Sequence, residues 1–105
     1  MKLLLLLPLL LGFTSPLFAD STDGYVEKVT AQNKSGNKYF YLMRKKENHD
    51  KWGVWRKETN TNNWVDKAVG IDTACKTFKS KIDSTSNMKD NYISDFQTWC
   101  PSSTW

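Results

Sequence analysis

A small α+β domain is the fold the sequence predicts: an antiparallel sheet of three to five strands packed on one helix, with one helix-to-strand disulfide. Three observations predict it. The aromatic runs Tyr39-Phe40-Tyr41-Leu42-Met43 and Trp52-Gly53-Val54-Trp55 lie within hairpin distance of each other, between polar turns. Aromatic and β-branched residues in short, turn-bounded runs read as paired strands. Cys75, Phe78 and Ile82 then step by three and four residues, the spacing of a helix with one buried face. Finally, the chain holds two cysteines, Cys75 in that helix and Cys100 in the last aromatic segment.

The N-terminus begins with a basic Lys2, continues with the apolar run Leu3 to Leu11, and reaches Leu17-Phe18-Ala19 before Asp20. This is the order of a secretory signal peptide, with Ala19 as the small residue at the cut. The apolar run is short for a membrane span and Pro16 interrupts its end, which favours cleavage over anchoring. Residues 1–19 are therefore expected to be a signal peptide and residues 20–105 a single secreted domain. No transmembrane segment is expected in the mature chain, and the implied location is secreted or periplasmic. Removing 19 of 105 residues leaves 86. A domain of that size buries roughly 60–65% of its unfolded surface and is marginally stable on packing alone.

Both cysteines lie in the exported part, where thiols oxidise. One intramolecular pairing is available, Cys75 to Cys100, closing a loop of 25 residues. In the chain-entropy account such a link contributes roughly 3–4 kcal/mol. Two distant cysteines and one histidine do not have the spacing of a metal site, so no metal and no cofactor is expected.

Element by element, Tyr25 to Ala31 reads as a first strand with imperfect alternation, Tyr25, Glu27, Val29 and Ala31 sharing a face. Asn33-Lys34-Ser35-Gly36-Asn37 is a turn, since Asn and Gly tolerate the positive backbone angles tight turns need. It also contains an Asn-Lys-Ser glycosylation triplet, read here as a chance match. Lys38 to Lys45 is the second strand, with Tyr39, Tyr41 and Met43 on one face and Phe40, Leu42 and Arg44 on the other. After a polar turn, Trp52 to Glu58 is the third, with Trp52, Val54 and Arg56 opposite Gly53, Trp55 and Lys57. Gly53 marks a bulge or a slot for a large neighbouring ring.

Trp64 to Val69 reads two ways, as a short strand or as the start of the helix. Gly70 would cost a continuous helix about 1 kcal/mol, so a strand ending at Val69 is preferred, with Asp72 as N-cap. The helix is expected from Thr73 to about Ile82, with Cys75, Phe78 and Ile82 inward and Lys76, Lys79 and Lys81 toward water. The closing segment Tyr92 to Cys100 is also ambiguous. A helix groups Met88, Tyr92, Phe96 and Trp99; a strand groups Tyr92, Phe96 and Cys100. Ser94, Asp95 and Thr98 are poor helix formers while Tyr, Ile, Phe, Thr and Trp suit a strand, and the strand is preferred. Pro101 ends it, and Ser102 to Trp105 is a tail.

The leucine-rich leader with its Pro8, the strand hairpin, Cys75 near the start of the helix and Cys100 in a last strand together resemble the layout of a class of small exported two-cysteine proteins of marine picocyanobacteria. The resemblance implies the same α+β arrangement. It implies no activity and no site residues.

Charge and aromatic content narrow the function classes. Without Lys2, 14 basic residues face 11 acidic ones, a net of +3. Lys34 to Lys57 alone holds eight basic residues against Glu47 and Asp50, or +6. Such a stretch suits an anionic polymer or membrane surface, and equally a solvated sheet face with edge lysines that discourage aggregation. His49, with Glu47, Asp50, Arg44 and Arg56 near it, has the residue types of a small secreted ribonuclease: carboxylate base, guanidinium for phosphate, imidazole acid. However, Glu47, His49 and Asp50 share one polar turn, where charged side chains stay wet. No nucleophile elbow and no phosphate-cradling glycine loop is present, and no catalytic residue is assigned.

Five tryptophans are many large rings for so short a domain, and most must be core. Rings left at the surface beside cations could stack sugars, bases or partner side chains. Tyr39, Tyr41, Arg44, Trp55 and Lys57 are the candidate binding surface. The leading expectation is a non-enzymatic exported binding domain whose partner is an anionic polymer, a glycan or an envelope protein. A small hydrolase using His49, a structural envelope protein and an inhibitor are the alternatives.

Overall fold

The computed structural model describes residues 21–105. The expected signal peptide, residues 1–19, lies outside the described residues. Four strands, β1 (Tyr25–Gln32), β2 (Lys38–Lys45), β3 (Trp52–Glu58) and β4 (Asn62–Val69), form one antiparallel sheet in the order β1-β2-β3-β4. Helix α1 (Ile71–Asp83) follows, then a 3-10 turn (Asp90–Tyr92), helix α2 (Ile93–Trp99) and a second 3-10 turn (Ser102–Thr104). The architecture is the expected α+β, with four strands and a second helix.

The core forms where one sheet face meets α1. Val29 and Ala31 of β1, Phe40 and Leu42 of β2, and Trp52 and Val54 of β3 are buried together with Ala74, Cys75, Phe78 and Ile82 of α1. Both periodicities of the sequence converge on this layer: alternate residues from the strands, every third or fourth from the helix. The disulfide is formed between Cys75, wholly buried, and Cys100, 5% exposed, with Cα atoms 5.9 Å apart. It joins α1 to the end of α2.

Several elements differ from expectation, each for a local reason. The segment from Tyr92 to Cys100 is not a strand. Its helical grouping prevails because Phe96 stacks on Phe78 (centroids 5.9 Å, 18° between planes) and Tyr92 meets Phe78 edge-on at 6.0 Å. Tertiary burial of that face outweighs the low intrinsic helix propensity of Ser94, Asp95 and Thr98. The Thr98 hydroxyl is satisfied within the helix, donating to the Ser94 carbonyl at 2.8 Å. The disulfide is accordingly helix-to-helix-end, not helix-to-strand.

Asp72 is not the N-cap. Gly70, extended at φ −68° and ψ 163°, takes that place and the helix begins at Ile71. Asp72 lies in the first turn, where its carboxylate still complements the helix dipole. In β1 the pairing register shifts between Glu27 and Val29. That bulge breaks the expected common face: Val29 and Ala31 enter the core, whereas Tyr25 and Glu27 point to the other side of the sheet. The tail is not loose. Thr104 is buried, and the Trp105 indole donates to the Cys100 carbonyl at 3.1 Å.

The β1–β2 turn is built as its residues suggest. Gly36 has φ +73°. The Asn33 amide donates to the Asn37 side-chain oxygen at 2.7 Å, and its own oxygen accepts from the Asn37 N–H at 3.1 Å. The one amide of the glycosylation triplet is thus already committed to the turn.

Gly53 fulfils both of its expected roles. The β3–β4 register shifts on either side of Val54, and the Trp64 ring lies over the bare glycine. A Cβ built on Gly53 would stand 2.6 Å from Trp64 Cζ3 and 3.3 Å from the Asp66 carbonyl oxygen. Gly53→Ala is therefore expected to displace the indole and cost about 1–3 kcal/mol, as overpacking does. A lowered thermal midpoint together with a changed near-ultraviolet tryptophan signal would report it. An unchanged midpoint would mean that the ring does not sit in this slot.

Candidate functional site

The helices cover one face of the sheet, and the other face carries the surplus aromatics. In β2 the alternation sends Tyr39, Tyr41 and Met43 to this second face. The register sets Tyr39 opposite Lys57 and Tyr41 opposite Trp55 in β3, and Trp55 opposite Trp64 in β4. Residues opposite one another in an antiparallel pair share a face.

The two ends of this face differ. At one end Tyr25 from β1 and Trp64 from β4 meet, with ring centroids 4.5 Å apart. Trp64 also packs edge-on against Trp55 at 5.2 Å. Its indole N–H donates to the Ser21 carbonyl at 2.9 Å, which ties down the start of the domain. Trp55 is consequently only 8% exposed and Met43 7%. This is a second, small aromatic core on the side away from the helices.

At the other end the face is open. Tyr39 and Tyr41 are half-buried, and Lys57 is exposed. The two tyrosine rings are parallel within 4°, with centroids 6.1 Å apart. A Cβ on Gly36 would meet the Tyr39 hydroxyl at 3.4 Å, so that ring leans back along the chain toward the β1–β2 turn. A groove of about 480 Å³ lies here, between the turn and the β3–β4 loop. Burial pushes the Tyr41 phenol above its ordinary pKa, with smaller contributions from Glu27 and Tyr39. Tyr41 therefore remains a neutral hydroxyl, able to donate or accept, at any physiological pH.

Of the five residues expected to form a binding surface, Tyr39, Tyr41 and Lys57 come together at the open end. Trp55 supports them from within the small core. Arg44 does not join them. Its alternation in β2 places it on the helix-covered face, where the guanidinium lies 5.5 Å from the Trp52 ring centroid and 5.7 Å from that of Trp99. Arg44 Nε donates to the His49 carbonyl at 3.1 Å. Lys28 approaches the Trp99 ring at 4.6 Å, so two cations flank one indole. Cations are attracted to the negative faces of aromatic rings, and here the pair ties α2 to the sheet. Neither contact is visible to a reading that makes residues 92–100 a strand.

The same region brings part of the suspected acid–base set together. Arg44, His49 and Asp50 line a cleft of about 530 Å³ with Trp52, Asp72 and Trp99. Glu47 and Arg56 do not line it. Arg56 sits toward the other end of β3, opposite Phe40, with Nε 3.4 Å from Glu58. His49 and Asp50 are exposed. Among the described residues, no three His, Cys, Asp or Glu side chains gather to hold a metal. No helix there is long and apolar enough to cross a membrane. Comparison with known protein families, with curated proteins and with solved structures finds no match for this chain.

Proposed function

We propose that this is an exported, non-enzymatic binding domain whose contact surface is the open end of the helix-free sheet face. The observation that carries the proposal is the pair of parallel, half-buried rings, Tyr39 and Tyr41, beside the exposed Lys57. Rings in this state are already held by their neighbours, so a ligand that stacks on them forfeits little side-chain entropy. Export is supported by the signal-like residues 1–19 and by a Cys75–Cys100 bond that needs an oxidising compartment to persist. The partner belongs to one of three classes: an anionic polymer, a glycan or an envelope protein.

Backbone amide shifts, followed while the oxidised domain is titrated with heparin, soluble oligosaccharides and single-stranded DNA, test the surface. The expected result is a set of perturbations centred on Tyr39, Tyr41 and Lys57, with Trp52 and Trp99 unmoved. Perturbations centred on Arg44, His49 and Trp99, with nuclease activity that disappears in His49→Ala, would replace the binding domain with a hydrolase.

A further inference from the structure

We propose that the groove at the open end of the face takes a sugar ring of an uncharged polysaccharide, with Tyr39 and Tyr41 as its stacking floor. The inference rests on the binding-domain function above and names its ligand.

The groove combines two kinds of surface that a pyranose needs. A sugar ring presents a face of C–H groups, whose hydrogens carry partial positive charge, and a rim of hydroxyls. The face of an aromatic ring is the negative part of its quadrupole, so it attracts the C–H face, and both tyrosine faces share one orientation. The hydroxyl rim needs donors and acceptors, because a hydroxyl removed from water without a partner costs free energy. Asn37, Lys57 and Thr59 supply amide, ammonium and hydroxyl around the same groove. An apolar floor with a few converging polar groups is the usual make-up of a small-ligand site.

Charge decides between an uncharged sugar and a polyanion. The groove is only weakly charged. Lys57, its one cation, makes no ion pair among the described residues. Glu58 shares the opposite face with Lys38 and Arg56, where its carboxylate lies 3.7 Å from the one and 3.4 Å from the other and occupies those two cations. Arg44, the residue that would have made the face markedly basic, stacks on Trp52 and Trp99 on the opposite side. Polyanion binding draws its affinity from several phosphate- or sulfate-neutralising cations in a row, and this groove offers a single free one.

The test uses the full oxidised domain with cellohexaose and N-acetylchitohexaose as uncharged probes and heparin and a decathymidylate as anionic ones. At least one hexasaccharide is expected to shift the amides of Asn37, Tyr39, Tyr41, Lys57 and Thr59. Its Kd should change by no more than about twofold between about 50 mM and about 500 mM salt, because few counterions are released. Tyr39→Ala should weaken binding about tenfold through loss of one stacking face. Tyr39→Phe should retain most of the affinity, and an otherwise unchanged amide spectrum shows that either variant is folded. Steeply salt-dependent binding of heparin or decathymidylate at these residues, with neither hexasaccharide bound, would overturn the sugar assignment and leave the face as a binding surface. No shift at these residues with any of the four probes would overturn the sugar assignment and leave an envelope protein as the partner of this face.

Discussion

Replacing Cys75 and Cys100 together by alanine is expected to lower the stability of the domain by roughly 3–4 kcal/mol, most of what so small a fold possesses. The link spans 25 residues of sequence, and without it the unfolded chain regains the freedom that closing that loop removes. For a domain of this size the change corresponds to a fall of about 15–25 °C in Tm. Thermal unfolding followed by far-ultraviolet circular dichroism, comparing the oxidised protein with the double variant, measures it. The corresponding double serine variant should be less stable still. Cys75 has no exposure to solvent, and a serine there buries a hydroxyl that the apolar surroundings leave without a partner. Equal midpoints for oxidised and alanine forms would mean that packing alone holds α1 to the C-terminal segment.

Phe78→Ala is expected to cost about 3–5 kcal/mol, the range for removing a fully buried aromatic ring and leaving a cavity. Phe78 has no exposure and is the largest fully buried side chain among the described residues. It is also the point at which α1 meets the C-terminal segment, since it stacks on Phe96 and receives the edge of Tyr92. Its loss therefore leaves two further rings poorly packed. Tyr92→Ala, at a half-buried ring, should cost clearly less. Urea unfolding gives both values as shifts in midpoint at similar slope. A Phe78→Ala midpoint within error of the parent would show that the segment after α1 does not dock on this ring.

These two effects also mark how far the sequence is legible. β2, β3 and α1 are legible because period-two and period-three-to-four patterns are local properties of the chain; β1 alternates imperfectly, and β4, which reads equally as the start of the helix, is separated from it only by the cost of Gly70. The pairing of Cys75 with Cys100 follows from the count of cysteines and from the oxidising compartment that residues 1–19 lead one to expect. Gly53 is legible as a slot because a glycine between two tryptophans in a strand has few other uses. The fate of residues 92–100 is not local. Ser94, Asp95 and Thr98 individually disfavour a helix, and only the placement of Phe78 across the core makes the helical spacing of Tyr92 and Phe96 the better solution. The bulge in β1 is hidden for the same reason, since nothing in Glu27-Lys28-Val29 announces it.

Of the candidate surface, Tyr39, Tyr41 and Lys57 are legible from alternation alone. Arg44 is excluded by that same alternation, which sets it with Phe40 and Leu42. The net positive charge of the hairpin conceals this, because a sum over residues 34–57 ignores which face each cation leaves by. The approach of Lys28 and Arg44 to Trp99 depends on α2 being a helix, and so stays hidden from the sequence for as long as α2 does.

Every strand pairs with its neighbours in the chain, so the sheet is a meander; beyond it, the Gln32 carbonyl at the end of β1 accepts from the Lys89 N–H at 2.8 Å. Such topology lets the first forty-odd residues of the domain take shape as they emerge, since short-range pairings form quickly. β1 is different, because it also contacts the Asp90–Tyr92 turn and α2, which follow the whole sheet and α1 in sequence. A chain emerging from its N-terminal side would thus present a nearly finished sheet before its closing clasp, and the two thiols would meet only after Cys100 had followed.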